Sequence, residues 1–258
     1  MKNMKHIIKK LIRAVFLCAA ALLLVVPAVA QGGLDDAGLR LGGKVGFGSA
    51  HLTLNKETTL GDARSTFAIG GFGEYRVLSW FSANIGVEYT QNGGANLNPR
   101  MFYFNGSPML SIPYPDLDGS ASIIRTDLRI HSLEFPVTAR LSIPEQSGFK
   151  PFLMAGVAVG VNLGAKITNY RMYDFSIDGD KPFNNMVTAS SDNVKDKISP
   201  ANFSLLWGVG SEFEAFGKIF EFGVTYRLGL VNQNHYFNSL YQQYGANTFM
   251  GYVAVKFR

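Results

Sequence analysis

The chain has 258 residues, of which 47% are apolar and 13% aromatic, with 28 glycines and a single cysteine. This composition excludes a disordered chain and a disulfide scaffold, and the length suits one large domain or two small ones. Five of the 24 basic residues lie in the first thirteen positions, which leaves nineteen against the chain's 19 acidic residues. The net charge of +5 therefore belongs to the start of the chain, and we expect no nucleic-acid partner.

The first thirty residues have the organisation of a secretory signal peptide. A basic segment, 1–13, is followed by an apolar run, 14–26, and then by Ala28-Val29-Ala30, a small-x-small pattern that signal peptidase recognises. We expect cleavage before Gln31, with residues 1–30 as the signal peptide and 31–258 as the mature domain. The alternative is an uncleaved anchor helix, for which the apolar run is short.

The mature chain alternates apolar and polar residues along eight segments. In the clearest of them, 218–230, the even positions from Phe220 to Leu230 are apolar and the odd positions hold Glu, Gly, Thr and Arg. A period of two indicates strands with one apolar face, because a helix would mix these residues on its faces. The segments are 39–47, 67–77, 81–90, 124–141, 153–162, 203–214, 218–230 and 249–257.

These segments are long enough to cross a bilayer when tilted, and their even number suits a single-chain barrel. We therefore predict an all-β fold, an eight-stranded antiparallel up-and-down transmembrane β-barrel. A secreted two-sheet sandwich also alternates, but its polar face would be solvated and its strands short. Here the polar face is dominated by glycine with a few charges, which favours a crowded barrel interior.

The fourth segment is irregular. Its apolar residues are even-numbered up to Ile130 and odd-numbered from Leu133. We expect a β-bulge near His131-Ser132 that resets the phase.

The connections alternate between short and long. Short turns are predicted at 78–80, 142–148 and 215–217, and long loops at 50–65, 92–122, 166–200 and 232–247. This asymmetry is typical of outer-membrane barrels with periplasmic turns and extracellular loops, and it places both termini at the periplasmic rim.

The polar face predicts a charged lumen. Equal numbers of acids and bases indicate a salt-bridged plug, because charges inside a narrow barrel must be paired or hydrated. A narrow pore selective for small solutes is the functional alternative. The twelve predicted lumen residues are Arg40, Lys44, Glu74, Arg76, Glu88, Glu134, Arg140, Glu212, Glu214, Glu221, Arg227 and Lys256.

Catalytic and metal-binding patterns are weak. His131 adjoins Ser132, but neighbouring residues of a strand point to opposite faces, so a nucleophile–base pair is disfavoured. The three histidines of the mature chain are isolated and it has no cysteine, which leaves no metal-ligand spacing. We therefore expect no enzyme activity, no metal and no cofactor.

The last strand has the form of a barrel-insertion signal, with alternating apolar residues that end in an aromatic one. We expect these residues to face membrane lipid and to be recognised by the barrel-assembly machinery. They are Phe249, Gly251, Val253, Val255 and Phe257.

Four segments carry a resemblance to a known family. They are Leu-Glu-Phe-Pro-Val at 133–137, Phe-Lys-Pro-Phe-Leu-Met-Ala-Gly at 149–156, Gly-Val-Gly-Ser-Glu-Phe at 208–213, and the terminal strand 251–257. Together they resemble the PorT-like outer-membrane β-barrel family of Bacteroidetes over essentially all of the mature chain. The resemblance implies an outer-membrane location and, from the founding member, a role in protein secretion and the maturation of surface proteases.

Three functional hypotheses follow. The first is a non-enzymatic barrel that acts through its extracellular loops or through a secretion or assembly partner. The second is a small-solute channel. The third is a barrel enzyme that acts on lipid or peptide.

Overall fold

A computed structural model of the chain describes residues 38–54, 58–97, 103–104, 107–108, 121–143, 148–176, 182–233 and 244–257. The proposed cleavage site, with Ala28, Ala30 and Gln31, lies outside these residues. No helix among the described residues is long and apolar enough to cross a membrane.

The described residues form strands and one short 3-10 helix, Lys195–Lys197. The strands are β1 (Leu39–Leu54), β2 (Thr58–Leu78), β3 (Phe81–Leu97), β4 (Tyr103–Phe104), β5 (Ser107–Pro108), β6 (Ala121–Ser142), β7 (Phe149–Ser176), β8 (Pro182–Asn193), β9 (Ala201–Ala215), β10 (Lys218–Gly229) and β11 (Tyr244–Phe257).

Eight of these strands close into an antiparallel barrel, as predicted. Their order is β6-β3-β2-β1-β11-β10-β9-β7, and the pairing of β7 with β6 completes the circle. The first and last strands pair from Leu41 with Phe257 to Leu54 with Tyr244. The closed sheet rules out the sandwich. The two short strands β4 and β5 form a separate two-stranded sheet among the described residues, and β8 pairs with the end of β7.

The two faces of the wall have the predicted composition. Apolar side chains of the alternating segments lie on the exterior, where Phe47 and Leu39 are among the most exposed. The intervening residues point inward, and most of the charged ones are buried. This arrangement places an apolar band around the barrel at the level that hydrocarbon would occupy.

The two rims differ. Strands β2 and β3 are joined by a turn at Ser79–Trp80, and β9 and β10 by a turn at Phe216–Gly217. We call this end the turn rim and the opposite end the loop rim. The strands extend further at the loop rim than predicted: β1 and β2 are separated by only residues 55–57, and much of the predicted loop 166–200 belongs to β7 and β8. The exterior apolar pattern stops near residue 47 of β1, but the hydrogen-bonded strand continues past it.

The irregularity occurs at the predicted register but on the neighbouring strand. His131 pairs with Gly164, and Ser132 pairs with Asn162, so the extra residue is Leu163 of β7. The inward set of β7 changes from even to odd residues across this bulge.

The predicted change of phase within β6 is therefore wrong. Its even residues stay inside along the strand, and Leu128 and Ile130 are buried in the barrel interior. The sequence pattern changes because the interior itself becomes apolar near the loop rim, so inward positions there hold aliphatic side chains.

Candidate functional site in the barrel lumen

Six inward charges meet near the turn rim. The Arg140 guanidinium lies 2.6 Å from Glu221, 2.7 Å from Glu212 and 3.3 Å from Glu74. Lys256 Nζ contacts the same three carboxylates, at 2.6 Å for Glu221 and 3.0 Å for Glu212. Only 1% of the Arg140 side chain and 0% of the Lys256 side chain are exposed. We call this group the inner ion cluster; its members are Glu74, Arg76, Arg140, Glu212, Glu221 and Lys256.

A second group, the outer ion cluster, lies closer to the loop rim and comprises Lys44, Glu88, Glu134 and Arg227. Glu88 and Glu134 are directly opposite each other on β3 and β6. Like charges in that position repel, and Arg227 from the far wall bridges both carboxylates. Lys44 pairs with Glu88, and the Asn202 amide donates to Glu134 at 3.0 Å. The cluster is thus neutral and hydrogen-bonded.

An aromatic ring supports the inner ion cluster from one side. The guanidinium carbon of Arg140 lies 3.5 Å from the centroid of the Phe152 ring, a cation–π contact. A side chain at Gly210 would place its Cβ 2.5 Å from that ring, so the glycine leaves the room that Phe152 needs. Gly210 therefore makes room for the ring that supports Arg140.

Tyr252 connects the two clusters. Its hydroxyl donates to Glu221 at 2.7 Å, and the Lys44 ammonium lies 5.2 Å from the centre of its ring. A cavity of about 30 Å³ adjoins these residues, and such a volume has room for about one water molecule.

Polar side chains form a layer above the outer ion cluster. Asn162 donates to Gln233 at 2.8 Å, Gln233 donates to Asn202 at 3.2 Å, and Ser132 donates to Asn162 at 2.6 Å. Gln233 follows the end of β10, and it is only 1% exposed. We call these four residues the amide layer; it joins β6, β7 and β9 to the segment that follows β10.

Aliphatic side chains fill the interior at the loop rim. They come from β1, β3, β6, β7 and β11 and from both sides of the 3-10 helix, and all are buried. We call this group the apolar plug; its members are Leu52, Leu97, Leu128, Ile130, Ala165, Ile167, Val194, Ile198 and Ala246.

The structure brings ten of the twelve predicted lumen charges into these two ion clusters. The other two lie towards the turn rim. Arg40 is half-buried and faces Glu74 across the β1–β2 ladder, and Glu214 is exposed near the end of β9.

Sequence reasoning missed Phe152, Gln233 and the apolar plug. Phe152 has the parity of the inward residues of its strand, so alternation alone could have found it. Gln233 lies in a segment interpreted as a loop, and the plug residues lie beyond the apolar band, so no comparable signal marked them.

Among the described residues, the interior offers little for metal binding, and His131 and Ser132 do not meet. Oxygens of Glu74, Glu212 and Glu221 lie within 4.8 Å of one another, but Arg140 and Lys256 already occupy the space between them. His131 lies on the exterior, where its Nδ1 is 2.6 Å from the Tyr89 hydroxyl, whereas Ser132 points inward.

The proposed insertion signal lies on the exterior of β11. Phe249, Val253 and Phe257 are at least half exposed, Gly251 is exposed and Val255 is partly exposed. Lys256 points the other way, into the inner ion cluster.

Several solved barrels are similar to this chain at low identity. Neisserial surface protein A is 15% identical with a TM-score of 0.42, and the match covers 86% of this chain and 100% of that one. OprG from Pseudomonas aeruginosa is 12% identical with a TM-score of 0.39, covering 85% and 95%. Ail of Yersinia pestis, in complex with the heparin analogue sucrose octasulfate, is 13% identical with a TM-score of 0.37, covering 85% and 99%. No curated protein matches the chain.

A family model matches most of the chain. The model is described as the outer membrane protein beta-barrel domain, and it matches residues 29–233. Those residues include seven of the eight barrel strands described above. The chain belongs to the outer membrane protein β-barrel domain family, and it is a protein of the outer membrane.

Proposed function

We propose that the barrel is a sealed, non-enzymatic scaffold that acts through the surface it presents at the loop rim. The observation that carries this proposal is the filled interior: the inner ion cluster, the outer ion cluster, the amide layer and the apolar plug follow one another from the turn rim to the loop rim. A solute would have to displace all four. With the turn rim in the periplasm, the loop rim faces outward from the cell.

The energetics of the interior support a sealed state. Separating one partner from a buried ion pair costs about 3–5 kcal/mol, because the other charge stays buried without compensation. Here Arg140 and Lys256 each contact three carboxylates, so displacing either affects several pairs at once. Thermal opening of a continuous water path through both ion clusters is therefore rare.

Conductance in a planar bilayer tests this proposal against the small-solute channel. The folded full chain should give no stable single-channel steps, and a porin incorporated into the same bilayer serves as the positive control. Stable steps from the folded protein would overturn the sealed-barrel proposal and favour the channel.

The enzyme hypothesis receives no support from its candidate residues. A barrel hydrolase of the Ser–His type needs the two side chains to meet, and Ser132 instead donates to Asn162 inside the wall. Turnover of lipid or peptide by the purified protein that disappears in His131→Ala would reverse this conclusion.

The partner remains a proposal that rests on the PorT-like resemblance. A secretion-system component or a surface protein would dock at the loop rim, where β6, β7 and β8 continue the sheet past the apolar band. Crosslinking in intact outer membranes, followed by purification of this chain, tests it. If the barrel-assembly machinery alone is recovered, the chain is contacted only during insertion, and the proposed partner at the loop rim is refuted.

A further inference from the structure

Two exposed cations lie directly opposite each other on the exterior of the barrel, beyond the apolar band. Arg129 of β6 pairs with Lys166 of β7 in the antiparallel ladder, and both residues are exposed. Side chains in such a pair are about 5 Å apart at Cβ, and like charges there repel. Among the described residues, neither side chain has a hydrogen-bond or ion-pair partner. An external anion would relieve this repulsion.

The height of the pair above the band leaves its long side chains within reach of the lipid headgroups. On β6 the outward apolar residues end at Leu133, and His131 separates Leu133 from Arg129. Four residues of strand span about 13 Å, or roughly 10 Å along the membrane normal once the barrel tilt is included. The headgroup region extends about 5–8 Å beyond the hydrocarbon, and long basic side chains can bend back toward it. Both cations can therefore reach lipid phosphates.

The surrounding charge favours an anion. Arg64 and Arg125 lie close by, and their nearest acid is Asp127, which contacts Arg64 at 3.5 Å and Arg125 at 2.8 Å. Asp62, which accepts a hydrogen bond from Asn96, also lies within electrostatic range of Arg125. On this exterior surface the four cations Arg64, Arg125, Arg129 and Lys166 outnumber the carboxylates of Asp62 and Asp127.

The pKa of His131 reflects the same positive charges. Burial lowers the pKa of the His131 imidazole, and the positive charges of Arg129 and Arg64 lower it further. The neighbouring cations thus disfavour a further positive charge on the imidazole.

We propose that Arg129 and Lys166 form a binding site for a phosphate group of a phosphorylated lipid in the outer leaflet. The phosphate lies between the two side chains and bridges β6 to β7, while the acyl chains of the lipid run down the apolar exterior below Leu133. Arg64 and Arg125 increase the local positive potential but remain paired with Asp127. The site binds the headgroup from the side, so it needs no opening in the barrel.

Native mass spectrometry of the folded full chain in non-ionic detergent tests the site. The probes are a bisphosphorylated lipid A-type glycolipid, its dephosphorylated form and inorganic phosphate. We expect a one-to-one adduct with the phosphorylated glycolipid and little with the dephosphorylated one. Since a basic residue near a membrane surface contributes about fivefold to the binding of anionic lipid, Arg129→Gln and Lys166→Gln should each weaken binding about fivefold, and the double variant about twenty-fivefold.

The control is Lys218→Gln, which removes one exposed cation at the turn rim. It should bind the phosphorylated glycolipid like the unaltered protein. The heat-dependent gel shift of each variant verifies that its barrel is folded. Equal binding of both glycolipid forms, or unchanged binding by the double variant, would refute the site. Complete competition by millimolar inorganic phosphate would show a free-anion site instead, and would also overturn the proposal.

Discussion

The Arg140 guanidinium of β6 lies 2.6 Å from the Glu221 carboxylate of β10, 81 residues further along the chain. These two strands are not neighbours in the sheet, so the contact crosses the lumen. It can form only when the wall has closed around it. The ion clusters therefore couple the interior of the barrel to its closure.

Replacing Arg140 by methionine should destabilise the barrel by about 3–5 kcal/mol, because three buried carboxylates would then have one fewer cation to share. The free energy of unfolding in urea, followed by tryptophan fluorescence in lipid vesicles, measures this. Lys218→Met is the matched control, since Lys218 is exposed. Equal losses for both variants would contradict a structural role for the inner ion cluster.

Much of this wall could be predicted from alternation, because each lipid-facing residue is apolar for the same physical reason. Phe220 to Leu228 illustrate it: one face contacts hydrocarbon and the other a polar lumen, so a period of two appears directly in the sequence. The same parity places Lys256 and Glu221 inside. It cannot show which acid meets which base, because partners such as Arg227 and Glu88 come from non-neighbouring strands.

The strands at the loop rim were harder to predict because the two faces exchange their polarity there. Once the strand leaves the membrane, its exterior becomes polar and its interior apolar, as at Arg129 and Ile130. The pattern then resembles a shift of phase, and a bulge on the neighbouring β7 strand has no signature in the residues of β6.

Truncating the apolar plug should destabilise the protein without opening it. Leu128 is 0% exposed, so Leu128→Ala should cost about 2–5 kcal/mol through lost contacts and a cavity. Conductance should remain absent, because both ion clusters below the plug are intact. Leu163→Ala, on the exterior bulge, is the control and should cost less. Channel steps in Leu128→Ala would show that the plug alone seals the barrel.

The Asp127 carboxylate predicts a pH dependence at the loop rim. Burial alone would raise the pKa of Asp127. Hydrogen bonds from the Arg125 side chain and from the backbone N–H of Asn96 lower it, as do the charges of Arg125 and Arg64, and together they bring the pKa below the ordinary value of 3.8. A carboxylate whose folded pKa is depressed stabilises the fold above its unfolded pKa, and this contribution is lost as the pH falls through the folded pKa.

Unfolding free energies at pH 7, 4 and 2.5 for the unaltered protein and Asp127→Asn test this. The unaltered protein should be the more stable of the two at pH 7, and the difference should shrink below pH 4. A difference that is constant with pH would show that the charge of Asp127 contributes nothing to stability.

Cleavage of the signal peptide should give a mature chain that starts at Gln31. Mass spectrometry of protein from the outer-membrane fraction should give the mass of residues 31–258, with or without loss of ammonia from the new N-terminal glutamine. Replacing Ala28 and Ala30 by leucine removes the small residues that the peptidase recognises and should block cleavage. Recovery of Met1 in the unaltered membrane protein would refute the assignment.

Lysine substitutions on the two faces of β11 should destabilise the barrel for different physical reasons. Val253 is 57% exposed on the exterior, so Val253→Lys should cost about 2–4 kcal/mol by placing a charge in hydrocarbon. Ala254 is 3% exposed and points inward, so Ala254→Lys should instead destabilise by crowding the lumen. Lipids with shorter acyl chains should lessen the first effect and leave the second unchanged. A common response to bilayer thickness would contradict the assignment of the two faces.

Deleting residues 252–258 should prevent assembly altogether. This stretch of β11 pairs with β1 from Gly46–Tyr252 to Leu41–Phe257, and it carries Lys256 of the inner ion cluster. Without it, the backbone of β1 would present an unpaired edge to hydrocarbon, where each unsatisfied polar group costs several kcal/mol. Outer-membrane fractionation with the heat-dependent gel shift reads out assembly. Deletion of Arg258 alone, which keeps the described pairings of β11 with β1 up to Leu41–Phe257, is the control. If the chain that lacks 252–258 still fractionates with the outer membrane and shifts on heating, closure between β1 and β11 is not required for insertion.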